Sequence, residues 1–206
     1  MLSEMNRQWL PALRRMEALA RTGARALITL DGPCASGKTT AAAAFGERLG
    51  APVLHTDDFV VPHARKTPER LSIPGGNCDW ERLTRELLGP WKEGGRAVVR
   101  KYDFRADRFC PPEALPDTPL LILEGSYCNL PAIRALADLR LFAATDPAER
   151  RARLEKRESP DSLRRFDLRW IPLENAYFRA YRLPDPGCVL LPCGDSSPKA
   201  TCPQPL

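Results

Sequence analysis

Residues 27–40 read LITLDGPCASGKTT: an apolar run, a turn of small residues, then a lysine and two threonines. Leu27 to Leu30 predict a short buried strand. Gly32 and Gly37 permit a tight loop with inward-pointing backbone N–H groups, and Lys38-Thr39 opens an alanine-rich helix predicted over 38–49. Those amides, the positive helix N-terminus and Lys38 form an anion site matched to the β- and γ-phosphates of a nucleotide. Its cradle is Gly32, Pro33, Cys34, Ala35, Ser36, Gly37, Lys38, Thr39 and Thr40, with the Thr39 hydroxyl a natural Mg²⁺ ligand. A glycine turn beside a surface lysine would give the same letters, but not the strand before them and the helix after.

The rest of the chain alternates strand-like runs with helical patterns, which reads as a parallel sheet with helices on both faces. Strand-like runs occur at 26–31, 52–56, 97–102, 119–124, 138–143 and 188–191, with helical patterns between several of them. Residues 1–22 read as an amphipathic helix. With 206 residues and 43% hydrophobic content, one core is expected, giving a single domain over 1–193. The tail 194–206, PCGDSSPKATCPQPL with its flanking residues, has few apolar anchors and is expected to be disordered.

In an open α/β sheet ligands bind outside the carboxyl ends of the strands. After PVLH comes TDDFVVP, which puts Asp57 and Asp58 at the mouth of the sheet. Asp57, closer to the strand end, is assigned as general base and Asp58 as its support. After PLLILE comes GSYCN, so Glu124 ends an apolar strand where it can orient Mg²⁺-bound water. After LRLFAAT, Asp146 as N-cap, Pro147 at the first helical position and Glu149 three residues on mark a helix start. Arg150, Arg153 and Arg157 follow on one face; as planar donors on a lid over about 150–170, Arg150 and Arg153 fit charge neutralisation during phosphoryl transfer. The polar loop carrying Asn77, Asp79 and Arg82 is a candidate acceptor pocket, although Asp79 also fits a cap for the helix starting at Trp80. Leu163, Phe166, Trp170, Leu173, Tyr177 and Tyr181 recur at helical spacing and are read as core packing.

Composition excludes more than it selects. The formal charge of +5 arises mostly from interleaved acids and bases, which argues against a nucleic-acid partner. No apolar run approaches membrane-spanning length and no export signal opens the chain, so a cytoplasmic protein without a membrane partner is expected. The seven cysteines contain no C-x-x-C, so neither a zinc site nor a disulfide framework is indicated; Cys34 sits where a positive field could lower its pKa, but is read as a small loop residue.

In DGPCASGKTT, HTDDF, GGNCDWERL, KYDFRAD, LILEGSY and TDPAERRARLEKR, in that order, the chain resembles the uridine kinase-like branch of P-loop small-molecule kinases over roughly residues 20 to 182. The resemblance implies an α/β, three-layer P-loop fold with strand order 2-3-1-4-5 and a short helical lid. It implies Asp57 as general base, Lys38 and Thr39 as ATP·Mg²⁺ ligands, Asp79 and Tyr102 as acceptor contacts, and Arg150 and Arg153 as lid arginines. Two departures stand out: Asp107 occupies the position where nucleoside kinases of this type carry a base-reading histidine, and the segment between Arg157 and Trp170 is short.

The expected activity is ATP-dependent transfer of the γ-phosphoryl group to a hydroxyl of a small-molecule acceptor, a uridine- or cytidine-like nucleoside first. Another alcohol or a nucleoside monophosphate is the alternative acceptor, kept open by Arg65, Arg70, Arg82, Arg105 and Arg108. A non-catalytic ATP-binding regulatory protein is the alternative class. Self-association stays open.

Overall fold

The computed structural model describes residues 7–194; the first residues of the expected N-terminal helix, and all of the expected tail except Gly194, lie outside them. Five parallel strands form the central sheet: β1 (Ala26–Asp31), β2 (Val53–His55), β3 (Leu120–Glu124), β4 (Leu139–Ala144) and β5 (Cys188–Pro192). Their spatial order is β2-β3-β1-β4-β5, the 2-3-1-4-5 order the resemblance implies. β1 lies between β3, with Ala26 opposite Leu120, and β4, with Ile28 opposite Leu139.

β1 and β3 are buried along their whole length, as strands covered on both faces must be. Their side chains alternate between two cores. Leu27, Leu121, Leu123 and Phe142 point to one face, against Leu83, Leu87, Trp91, Tyr177 and Phe178. Ile28, Leu30, Ile122, Leu141 and Ala143 point to the other, against α1 (Leu10–Arg21) and α2 (Lys38–Leu49) through Leu13, Met16, Ala41 and Phe45. Gly46 of α2 is needed for this approach, because a Cβ there would come within 2.7 Å of Val53 Cγ2.

The run 97–102 does not join the sheet. Val98–Val99 pairs antiparallel with Glu113–Ala114, and Tyr102–Asp103 with Arg108–Phe109. Arg100 and Lys101 interrupt the apolar run, so it cannot be buried on two faces. Asp103 then closes a turn by accepting from the N–H groups of Arg105 and Ala106 at 2.9 and 3.0 Å. The result is a flap beside the sheet mouth.

Two helical runs contain wide, π-type turns, Leu83–Leu88 and Phe166–Trp170. Each ends two residues before a proline, Pro90 and Pro172, whose ring would collide with the carbonyl four residues back in a regular helix. The second corrects the reading of the 163–181 stripe. The wide turn puts its two halves out of phase: Tyr177 is fully buried in the core, while Phe166 and Trp170 line the cleft described next. The last helical segment is α4 (Ile171–Tyr181), preceded by α3 (Pro147–Arg157). Asp146 caps α3 as the spacing predicts, accepting from Ala148 N–H at 2.8 Å.

Candidate active site

The loop between β1 and α2 is held from beneath by a buried carboxylate. Asp31 accepts from Gly32 N–H at 2.7 Å through one oxygen, and from the Tyr177 hydroxyl and Asn129 N–H at 2.7 and 3.0 Å through the other. Burial raises its pKa to about 6, against the opposing pull of these donors. Gly32 has φ 146°, and a Cβ would sit 3.0 Å from both Ala143 Cβ and Ala143 O. Gly37, at φ 90°, starts α2. Both glycines of the motif are therefore required by backbone geometry.

Further contacts fix the loop. Thr145 donates to Ser36 O at 2.7 Å, and Ser126 Oγ, whose proton goes to Glu174, lies 3.1 Å from Gly32 O. Cys34 N–H donates to the Glu174 carboxylate of α4 at 2.9 Å. From α3, Arg150 Nε reaches Cys34 O at 2.9 Å, and Arg153 reaches Ala35 O at 3.3 Å and Cys193 O at 2.7 Å. Lys38 Nζ lies over the loop, donating to Pro33 O at 3.2 Å. Cys34 itself is inert: burial and the Glu174 carboxylate push its thiol up to about 11, outweighing Arg150, so the positive field does not activate it.

Beside the loop, Thr39 Oγ1 donates to Glu124 Oε1 at 3.0 Å, and His55 Nδ1 stands 2.6 Å from the same oxygen. Glu124 Oε2 is buried with no hydrogen-bond partner. An unsatisfied carboxylate oxygen next to a threonine hydroxyl at the phosphate loop fits a hard cation that takes few protein ligands and completes its shell with phosphate oxygens and water. Among the described residues no three His, Cys, Asp or Glu side chains converge, which is compatible with Mg²⁺ and not with an all-protein cage.

These groups open onto one cleft of about 810 Å³. Its floor carries Lys38, Thr39, Glu124, Asp57 and Glu174; its walls include Asn77, Lys66, Phe104, Phe166, Arg157, Arg169 and Trp170. Asp57 lines the cleft and is exposed to it. Burial pushes its carboxyl above the usual range, Lys38 opposes this, and Glu124, Glu174 and Asp58 add to it. Asp58 instead pairs with Lys101 at 3.2 Å.

The acceptor residues named from the sequence divide. Asn77 lines the cleft. Asp79 and Arg82 do not: both are buried and bonded to each other at 3.3 Å, Asp79 also accepts from Arg65 at 3.1 Å, and it caps the helix at Arg82 N–H. Tyr102 is buried in the flap, its hydroxyl accepting from His63 N–H at 3.1 Å and donating to Asp107. Of the lid arginines, Arg153 and Arg157 line the cleft, while Arg150 is engaged with the outside of the loop. His55 and Ser126 join the site from within HTDDF and LILEGSY without having been named as site residues, and Lys66, Arg169 and Glu174 join it from outside the quoted motifs. Only the helical offset of Glu174 from Tyr177, itself beneath the loop, places it on the loop-facing side of α4.

No family model and no curated protein sequence matches the chain. Solved structures do. A possible uridine kinase from Bacillus stearothermophilus superposes with a TM-score of 0.62 at 21% identity, over 88% of this chain and 99% of that one. A protein assigned as a fructose transport system kinase from Silicibacter sp. TM1040 gives 0.65 at 21%, over 82% and 93%. D-glycerate 3-kinase from Cryptococcus neoformans gives 0.60 at 13%, over 91% and 93%. At these identities the likeness establishes the fold alone: a central five-stranded parallel sheet covered by helices on both faces, as in these structures.

Proposed function

We propose that the protein is a phosphotransferase that moves the γ-phosphoryl group of ATP onto a hydroxyl of a small molecule, with Mg²⁺ as cofactor. The observation that carries this reading is the single cleft in which an ionisable carboxylate, Asp57, faces the phosphate loop, Lys38 and the Thr39–Glu124 pair. A nucleotide switch or regulatory protein needs the loop and the cation site but not a base across from them.

In this mechanism the loop amides and Lys38 hold the β- and γ-phosphates, and Arg153 and Arg157 add positive charge from the lid side. Thr39 and Glu124 would hold the Mg²⁺, which supplies charge neutralisation on the phosphates. Asp57 takes the proton of the acceptor hydroxyl as its oxygen bonds to the γ-phosphorus. The bond to the β–γ bridging oxygen breaks, and ADP leaves with that electron pair.

The nucleoside expected from the resemblance would meet aromatic side chains along the cleft in Phe104, Phe166 and Trp170, but two of these rings already carry cations, Phe104 that of Lys66 and Trp170 that of Arg169. Asp107, at the position of a base-reading histidine, is held by Tyr102 and is not among the residues lining the cleft. The test is ADP release with ATP·Mg²⁺ and a panel of nucleosides, monophosphates and small alcohols, read above the background ATPase rate. ADP release that no acceptor stimulates, and that Asp57→Asn leaves unchanged, would overturn the reading.

A further inference from the structure

Five cationic side chains line the cleft: Lys38, Lys66, Arg153, Arg157 and Arg169. Lys38 belongs to the phosphate loop. Arg153 pairs with Glu149 and donates to Ala35 O and Cys193 O, and Arg157 pairs with Glu158 at 2.7 Å. Lys66 and Arg169 are different. Among the described residues neither has a carboxylate within ion-pair distance, and each rests on an aromatic ring instead. Lys66 Nζ lies 3.9 Å from the centre of the Phe104 ring, and the Arg169 guanidinium 4.8 Å from that of Trp170.

The two cations also feel each other. Burial depresses the Lys66 ammonium below its usual range and Arg169 adds to this, with Asp107 giving only a partial counterweight. A lysine on a free surface would turn away from a like charge; this one is half-buried against Phe104 and keeps it. An anion between them would remove the repulsion.

Their segments are separate from the phosphate loop in the chain, although all of them line one cleft. Lys66 follows Asp57 on the same excursion from β2, in the segment that also brings in Asn77. At the loop end, Gly37 abuts Arg153 and Cys193. The carboxylates of the cleft lie on the floor and, Asp57 apart, are bonded: Glu124 to Thr39 and His55, Glu174 to Cys34 N–H and Ser126. The cleft therefore offers one carboxylate free to take a proton, Asp57, and two cations with no carboxylate at ion-pair distance among the described residues.

From this arrangement we infer that the acceptor is a hydroxyl compound bearing a separate anionic group, a carboxylate or phosphate ester, held between Lys66 and Arg169 while its hydroxyl meets Asp57. The inference rests on the kinase reading and selects the anionic members of the alternative acceptors over the neutral nucleoside expected first. Arg169 enters from the lid and Lys66 from the β2 side, so an acceptor of this kind bridges the two walls of the cleft.

The experiment uses matched compounds: glycerol against glycerate and glycerol 3-phosphate, and ribose against ribose 5-phosphate. Binding is measured by calorimetry with saturating ADP·Mg²⁺ occupying the phosphate loop. The expected result is that an anionic member binds at least about tenfold more tightly than its neutral partner. Lys66→Met or Arg169→Met should cut that preference about tenfold, a single charge contact. The carboxylate and phosphate arms identify the anion. Equal or better binding of the neutral members, no binding of any member, or a preference that survives the double variant overturns the inference. So does a rise in the KM for ATP equal to the loss of anion binding, which would assign the two cations to the nucleotide. Because binding is read without turnover, failure of the kinase reading shows separately, as ADP release insensitive to every acceptor and to Asp57→Asn.

Discussion

The carboxylate of Glu174 accepts the Cys34 N–H of the phosphate loop at 2.9 Å, joining residues 140 positions apart. The same carboxylate accepts from Ser126 Oγ at 2.6 Å, so one buried side chain of α4 ties together the loop after β1 and the turn after β3. Glu174→Ala would leave buried donors unpaired and should cost about 1–3 kcal/mol of stability. Glu174→Gln, which keeps an acceptor oxygen, should cost less. Urea unfolding of the two variants checks this; equal losses would show that the charge matters rather than the hydrogen bonds.

Lys38→Ala should abolish transfer while leaving the fold intact. Among the described residues its ammonium donates only to Pro33 O, and it faces the cleft, so its removal deletes charge stabilisation at the phosphates and no core contact. Circular dichroism and ADP-release assays on the same preparation check both halves. Near-normal turnover in the folded variant would remove Lys38 from the mechanism.

The two aspartates after β2 should separate by function. Asp57→Asn is expected to lower kcat by roughly 10²-fold or more with ATP binding retained, the scale of general-base removal. Asp58→Asn should have a much smaller effect, because Asp58 faces Lys101 rather than the cleft floor. The reverse ranking would move the base by one residue.

The pH profile follows from the same carboxyl. Asp57 must be ionised to take a proton, and burial raises its pKa above the ordinary carboxylate value. Activity should therefore be constant at neutral pH and fall as pH drops through an apparent pKa higher than about 3.9. A kcat/KM profile of the wild-type protein should show this acid limb, and the residual activity of Asp57→Asn should lack it.

Gly125, directly after Glu124, has φ 130°, and a Cβ there would come within 2.1 Å of Thr56 Oγ1. Gly125→Ala should destabilise the fold by about 2–4 kcal/mol through this clash and the backbone strain. Adding Thr56→Ala should recover part of the loss, so that the pair is less than additive. Thermal unfolding of the single and double variants measures the coupling.

What the chain determined locally is the part of the site built from neighbours. The phosphate loop, its two obligatory glycines, the buried β1 and β3 runs and the Asp146 cap each depend on residues within one turn or one strand, where spacing and steric permission suffice. The order of the strands follows from the resemblance of the motifs. Tertiary structure decided the rest. It withdrew 97–102 from the sheet, because charges at Arg100 and Lys101 cannot be buried on two faces. It turned Phe166 and Trp170 out of an apparently continuous stripe, because the turn before Pro172 is widened. It neutralised Asp79 and Arg82 with each other, and it left Lys66 and Arg169 without an ionic partner among the described residues. Whether a charged side chain is spent on the fold or left for a ligand depends on which opposite charge arrives across the chain, and pairs such as Glu174 with Cys34 leave no periodic trace in the sequence.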